Sequence, residues 1–478
     1  MVFEPVIGLE VHLQLSTKTK AFCGCSTLFG QRPNSQVCPV CLGFPGSLPK
    51  LNAEAFRRAI KVALALNCGV QDFIKFDRKN YYYPDLPKNY QISQYDKPIA
   101  FDGFVELSRK NNRKKIRVKR VHLEEDAGKL MHDTPDAFSR VDYNRAGIPL
   151  LEIVTEPDIA TPEEAYDYLV SLKAILSYLD VSDCDMEKGS LRCDANISVR
   201  PKGTSGLGVK VELKNMNSFK NVRGALEYEA VRQAEAAASG EKILQETRLW
   251  DADRARTGVM RVKEEAHDYR YFPEPDLVPF TPDRSFIDSI KRGIPELPSA
   301  RAARFTAIFG LSEYDSGVLV SDSGTAAYFE EAAGLCGKPK TAANWITGDM
   351  MALANEKSVG VRDLGITAKG LAALIEMIER GEISGKMAKE VLSEAIETKK
   401  EPADIVRLSG LSQISDASAL EPLIKSVMEK NPGPVADYKG GKTNAFGYLV
   451  GQVMKETKGK ANPALVNELL KKIMETAR

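Results

Sequence analysis

Two groups of residues in this chain have types and spacing that could do chemistry. The first is Ile7-Gly8-Leu9-Glu10-Val11-His12-Leu13-Gln14-Leu15, which alternates strictly. Ile7, Leu9, Val11, Leu13 and Leu15 fall on one side, and Glu10, His12 and Gln14 on the other. Side chains two apart on a strand point the same way, so this is a half-buried strand presenting a carboxylate beside an imidazole. Their roots would stand roughly 7 Å apart, close enough for both to reach one cation. A strand face that is merely wet is the competing reading. The second group is Cys23-Gly24-Cys25 and Cys38-Pro39-Val40-Cys41, two short-spaced pairs in a Gly/Pro/Asn/Ser-rich loop. Tetrahedral zinc needs four soft ligands, and Cys23, Cys25, Cys38 and Cys41 could supply them, although the first gap is one residue shorter than usual. Four thiolates leave no open position, so such a zinc would be structural; four reduced thiols without metal is the alternative.

The acidic pattern recurs along the chain. Arg117 to Glu125 ends a strand with His122, Glu124 and Glu125, followed by Asp126. Leu150-Leu151-Glu152-Ile153-Val154 places one carboxylate in an apolar run, where burial would require pairing or a metal. Leu191 to Arg200 puts Arg192, Asp194, Asn196, Ser198 and Arg200 on one face, and Val209 to Asn215 does the same with Lys210, Glu212 and Lys214. Strands with one apolar and one charged face join naturally into an antiparallel sheet. A face lined with both signs suits phosphoryl transfer: carboxylates hold Mg²⁺, and Lys and Arg neutralise phosphate oxygens.

Other elements must hold that sheet. Helical spacing is expected over Ala53–Asn67, over Tyr166–Leu179 behind Thr161-Pro162-Glu163-Glu164, and over Arg223–Ser239. The Lys79 to Gln91 stretch, with four Tyr, two Pro and two Lys, breaks the regularity. It could stack bases and meet phosphate, or pack on its own domain. From Arg109 to Arg120 eight of twelve residues are basic, which predicts a charged hairpin turning at Asn111-Asn112. Arg261 to Glu265 and Asp268 to Leu277 are expected to be irregular and functional. Composition shifts at Pro295-Glu296-Leu297-Pro298 to Ala-rich helices, and again near Arg407. The expected class is α+β: residues 1–293 form an antiparallel-sheet cradle with flanking helices, 294–406 an all-α domain, and 407–478 a small all-α tail. Gly441-Lys442-Thr443 lacks the earlier Gly of a phosphate loop, since Ala436 stands there, and is set aside.

Bulk properties narrow the classes. The 478 residues carry a net charge of +1, with 43% hydrophobic and 27% charged residues. No global basic field announces nucleic acid. No run of about 18 apolar residues suggests a membrane span. Eight cysteines with no secretory leader predict a reducing, cytoplasmic setting.

Six segments in order then make a likeness. Ile7 to His12, Asp77 to Asp85, His122 to Lys129, Arg145 to Ile153, Gly189 to Asn196 and Asp268 to Asp276 resemble the B subunit of the bacterial tRNA-dependent amidotransferase. Gly447 to Met454 and Ala461-Asn462-Pro463 resemble that family's tail. The likeness covers essentially the whole chain, and leaves no room for the inserted domain of the archaeal paralogue. It implies that a glutaminase A subunit releases ammonia, while this chain uses ATP and Mg²⁺ to phosphorylate the side-chain carboxylate of Glu-tRNA(Gln) or Asp-tRNA(Asn). Ammonia then displaces phosphate; a small C subunit completes the heterotrimer. Among site residues it implies Glu10, His12, Glu124, Glu125 and Glu152 around Mg²⁺, with Ser190 and Asp194 facing substrate. Lys79, Tyr81, Lys88, Arg192 and Lys214 would bind ATP or substrate or guide ammonia. No Ser-Ser-Gly-rich amidase segment and no credible Cys-His glutaminase set is present, so the nitrogen must come from another chain. Two rival readings stand beside this one, a stand-alone Mg-dependent phosphotransferase acting on a small molecule and a non-catalytic zinc-containing RNA-binding protein.

Overall fold

The alternating N-terminal stretch becomes the strand Phe3–Gln14 at the centre of a nine-stranded sheet. A computed structural model describes residues 2–109, 112–131, 138–262, 269–410, 417–457 and 460–476. The expected turn at Asn111, the Lys263 to Glu265 run and Asp268 therefore lie outside the described residues. Across the sheet the strands run Arg256–Val262, Glu246–Asp251, Val211–Lys214, Leu191–Pro201, Phe3–Gln14, Pro149–Thr155, Asn112–Glu125, Ala100–Arg109 and Gly69–Val70. All neighbours are antiparallel except Val211–Lys214 with Glu246–Asp251.

Period-two alternation decides which face is wet. Ile7, Leu9, Val11 and Leu13 are fully buried, as are Leu151 and Ile153 of the neighbouring strand. They share one hydrophobic cluster with the helices Ala53–Ala65, Pro162–Tyr178 and Phe219–Ser239. Each helix starts at a side-chain cap: Asn52 accepts from the amides of Glu54 and Ala55, Thr161 from Glu164, and Ser218 from Asn221. The helices cover the apolar face, so the opposite face is left for Glu10, His12, Glu124 and Glu152.

The sheet is wider than the sequence suggested. Gly69–Val70, Ala100–Arg109, Glu246–Asp251 and most of Arg256–Val262, the two edge strands and their neighbours, did not stand out, because strands of mixed residues carry little alternation. A three-stranded sheet, Phe272–Pro273, Asp77–Asn80 and Tyr90–Ser93, carries the Tyr-rich loop. Met1–Leu297 forms one compact unit and Pro298–Arg478 another. Among the described residues of the second unit the regular elements are helices. They bury two separate cores, one spanning Phe305 to Ile405 and one spanning Leu420 to Met474. This is a mixed α/β chain with a predominantly antiparallel sheet and an all-helical C-terminal region.

Candidate active site

Antiparallel register turns separate motifs into one row. His12 pairs with Arg192 on one side and Glu152 on the other, and Glu152 pairs in turn with His122. At the preceding position on the same face, Glu10 lies opposite Asp194. Within this face His12, Glu124 and Glu152 each offer a ligand atom, and the three atoms lie within 4.8 Å of one another. Glu152 Oε2 is 3.9 Å from His12 Nε2 and 3.8 Å from His122 Nδ1. Ser93 Oγ donates to Glu124 Oε2 at 2.9 Å. Two carboxylates suit a hard divalent ion, and the imidazole adds a borderline donor.

The two carboxylates are driven in opposite directions. Burial alone would raise Glu152, but the His122 imidazole, then the charges of His12 and Lys79, hold it well below the usual carboxylate range. Glu124 is pushed up by burial and by the charge of Glu152. Burial disfavours a charged Lys79, yet Glu124 leads a set of neighbours that keep its ammonium above the ordinary lysine value. The Lys79 ammonium sits 4.8 Å from the centre of the Tyr269 ring and 5.7 Å from that of Tyr81.

Around this centre the remaining candidates hold partners. Asn196 donates to Glu10 at 2.8 Å. Lys214 donates to Asp194 and lies 3.6 Å from Glu212. Arg192 donates to the buried Asp126 at 3.0 Å, and Gln14 donates to the same carboxylate at 2.7 Å. Ser190 is turned into its own loop, donating to Asp183 and accepting from the Asp185 amide at 2.9 Å. Glu125 also points away from the three-donor cluster: it accepts from Lys88 and from the Ile92 amide at 2.9 Å. Register was the missing signal for His122, and tertiary contact for Ser93 and Asp126, none of which was assigned a site role from the sequence. Four buried side-chain polar atoms on this face find no hydrogen-bond partner among the described residues: Arg120 Nε, His122 Nε2, Arg192 Nε and Asn196 Oδ1. Buried polar groups are normally satisfied, so these four atoms have hydrogen-bonding capacity to spare for a polar ligand or water.

The four cysteines come together as their spacing predicted, each offering a sulfur within 4.8 Å of the others. The Cys23 thiol hydrogen-bonds to Cys41 and, with the Cys38 amide and Lys20, overcomes burial to hold Cys41 down to about 4. Cys23 is pushed up by Cys41 and by burial, and Cys25 up to about 11, mainly by burial. Four sulfurs this close together suit zinc, which would hold all four as thiolates. Cys68, Cys184 and Cys193 are buried apart from one another, as small apolar groups.

The sheet face and the helical region thus define an α+β protein with a polar, cation-ready site on an antiparallel sheet. Residues 5–288 match a family model described as the GatB/GatE catalytic domain, and residues 327–474 one described as a GatB domain. A protein of Carboxydothermus hydrogenoformans, named as the B subunit of aspartyl/glutamyl-tRNA(Asn/Gln) amidotransferase, is 54% identical over 474 residues, 98% of each chain. Those of Thermodesulfovibrio yellowstonii and Brevibacillus brevis, with the same name, are 54% and 52% identical over 99% of this chain, and over 100% and 99% of their own. The chain belongs to the GatB family of amidotransferase B subunits.

Proposed function

We propose that this chain activates the side-chain carboxylate of misacylated Glu-tRNA(Gln), Asp-tRNA(Asn) or both with ATP, and then amidates it. The observation that carries the reading is the His12–Glu124–Glu152 cluster beside Lys79, inside the segment matched by the catalytic-domain model. A carboxylate does not exchange oxygen for ammonia until that oxygen can leave. One carboxylate oxygen of the substrate attacks the γ-phosphorus, ADP departs with the bridging oxygen, and an acyl phosphate forms. Ammonia adds to the acyl carbon, loses a proton, and inorganic phosphate leaves.

Glu124, Glu152 and His12, with Glu10 beside them, would hold Mg²⁺, which when bound supplies charge neutralisation to the phosphate oxygens. Lys79, kept protonated by its acidic neighbours, contacts the transferring phosphoryl group. Arg192 and Lys214 place further positive charge on the same face, with Asp194 toward the substrate. Ser190 orders the loop that leads into Asp194's strand. Tyr81 walls the Lys79 side chain. Lys88 and Glu125 line the approach of ammonia. Cys23, Cys25, Cys38 and Cys41 would hold structural zinc.

Ammonia comes from a glutaminase A subunit, with a small C subunit completing a heterotrimer. The layout proposed is a cradle over 1–293, a helical domain over 294–406, and a tail over 407–478 that grips tRNA. Among the described residues no helix is long and apolar enough to cross a membrane, and the proposed setting is the cytoplasm, where aminoacyl-tRNA is used. The test is the complex with its partners, given Glu-tRNA(Gln), ATP, Mg²⁺ and ammonium chloride. Gln-tRNA should form with the unaltered chain and not with Glu124→Gln. ATP turnover without any tRNA would instead favour a small-molecule phosphotransferase.

A further inference from the structure

We propose that the four-cysteine loop is a positioning device for Lys88, so that the metal-binding loop and the Lys88–Glu125 pair move as one unit. The inference rests on the reading that Lys88 and Glu125 serve amidation. Cys23, Cys41, Lys20, Gly43, Lys88 and Glu125 line one cavity of about 240 Å³. Cysteine sulfurs and the ion pair are therefore neighbours across one small space, although up to 102 residues separate them in sequence.

Two contacts join them. The short helix Pro39–Leu42 carries Cys41 and ends at Gly43, whose φ of 73° is left-handed and whose amide returns to the carbonyls of Pro39 and Val40. A Cβ on Gly43 would strike Lys88 Cγ, and would lie 3.1 Å from its Cβ and 3.3 Å from its Cα. Those atoms are the root of Lys88, not its flexible end, so the bare Gly43 backbone is a seat against which the lysine stem rests. From that seat Lys88 reaches Glu125, and the side chains are only 7% and 5% exposed. The second contact runs through Lys20, which is fully buried. Its ammonium lies 3.6 Å from Cys41 Sγ and 3.3 Å from the Tyr143 carbonyl. A Cβ on Gly147 would meet Lys20 Cδ at 3.3 Å, Cys41 Cβ at 3.5 Å and Glu125 Oε2 at 3.8 Å. Lys20, Cys41 and Glu125 thus share one wall around Gly147.

A metal on the four sulfurs would tie the 38–41 turn to the 23–25 segment, and Gly43 is the next residue but one. Fixing the turn fixes the seat, and the seat sets where the Lys88 stem leaves the backbone. Gly43 and the cysteines act through Lys88 and are positioning residues. Coupling of this kind is reciprocal: if metal binding orders Lys88, the Lys88 stem must raise metal affinity by the same factor.

Gly46 supplies an internal control, because it lies in the same loop with φ 80° and a Cβ there would meet nothing within 4 Å. Gly43→Ala and Gly46→Ala therefore carry similar backbone strain, and only the first strikes Lys88. The full chain is loaded with zinc, and release to a graded series of competing chelator is read at equilibrium. Lys88→Ala and Gly43→Ala should bind zinc about tenfold more weakly. Lys88→Met, which keeps the stem but not the charge, and Gly46→Ala should match the unaltered chain. In the complex, Gly43→Ala should cut Gln-tRNA formation from ammonium about a hundredfold, in kcat and not in KM for tRNA, since a misplacement of about 1 Å passed on to the approaching reactant costs that much. Gly46→Ala should not, and in a Lys88→Ala background Gly43→Ala should add nothing. Equal behaviour of the two alanine variants, zinc release indifferent to Lys88, or a chain that takes up no zinc overturns the proposal. Failure of the unaltered complex to make product overturns the amidation reading instead, and leaves the zinc-release result to decide the coupling.

Discussion

Replacing Glu152 by Gln removes one negative charge from the middle of the site while keeping side-chain shape. The imidazoles of His12 and His122 approach its carboxylate to 3.9 and 3.8 Å, and its side chain is 13% exposed. Unit charges about 4 Å apart attract by roughly 4 kcal/mol at an effective dielectric near 20. Allowing for relaxation, losing this carboxylate should weaken a divalent ion by about 3 kcal/mol, on the order of a hundredfold. The Mg²⁺ requirement, read as the concentration giving half-maximal amidation in the complex, should rise by that factor. At ordinary Mg²⁺ the variant should make no Gln-tRNA, with partial rescue by excess Mg²⁺. Its affinity for tRNA, measured by filter binding, should stay within a few-fold, because the proposed tail over 407–478 would hold the tRNA body. An unchanged Mg²⁺ requirement, or a comparable loss of tRNA affinity, would refute the reasoning.

Other expectations follow from the same geometry. Asp126 is buried, yet Arg192, Arg145 and Gln14 together hold its carboxyl below the ordinary range. A depressed folded-state value means stability that is present above the unfolded value of about 3.9 and lost as pH falls below it. Asp126→Asn should therefore lower Tm near pH 7, with the gap to the unaltered chain closing below about pH 4. Removing the 407–478 segment, which carries its own core around Leu420, Leu449 and Leu470, should weaken tRNA binding more than it slows amidation at saturating tRNA. The reverse result would place that segment at the reacting centre. Cys41→Ser should abolish zinc retention while leaving the Phe305 to Ile405 core intact, as judged by a helical circular-dichroism signal close to that of the unaltered chain. Retained zinc would mean that three thiolates suffice.

The strands bearing the site were legible because their faces differ so sharply. Ile7, Leu9, Val11 and Leu13 announce a core, and Glu10 and His12 fall on the remaining side by parity alone. The four-cysteine cluster was equally legible, since two short spacings within one loop can close only over a small distance. Register is not written in any one strand. That Glu152 lies between His12 and His122, and that Glu125 meets Lys88, depends on contacts between segments over 20 residues apart, whereas parity alone turns Glu125 from Glu124. Gly43 was illegible for a different reason: its importance lies in the Lys88 stem that a side chain there would strike. The Tyr-rich loop left two readings open, a contact surface and packing on its own domain. Tyr82 is indeed exposed, but Leu86 is buried and Lys79 is caged between Tyr81 and Tyr269.

The most direct measurement follows phosphate from ATP labelled at the γ position in the complex, with Glu-tRNA(Gln) or Asp-tRNA(Asn) present and every nitrogen source withheld. The account predicts tRNA-dependent transfer of label to the aminoacyl carboxylate, chased to inorganic phosphate and amidated tRNA when ammonium is added, and none with His12→Ala or Glu124→Gln. Label transfer that survives both substitutions would contradict it, because the activating site would then lie off this sheet face.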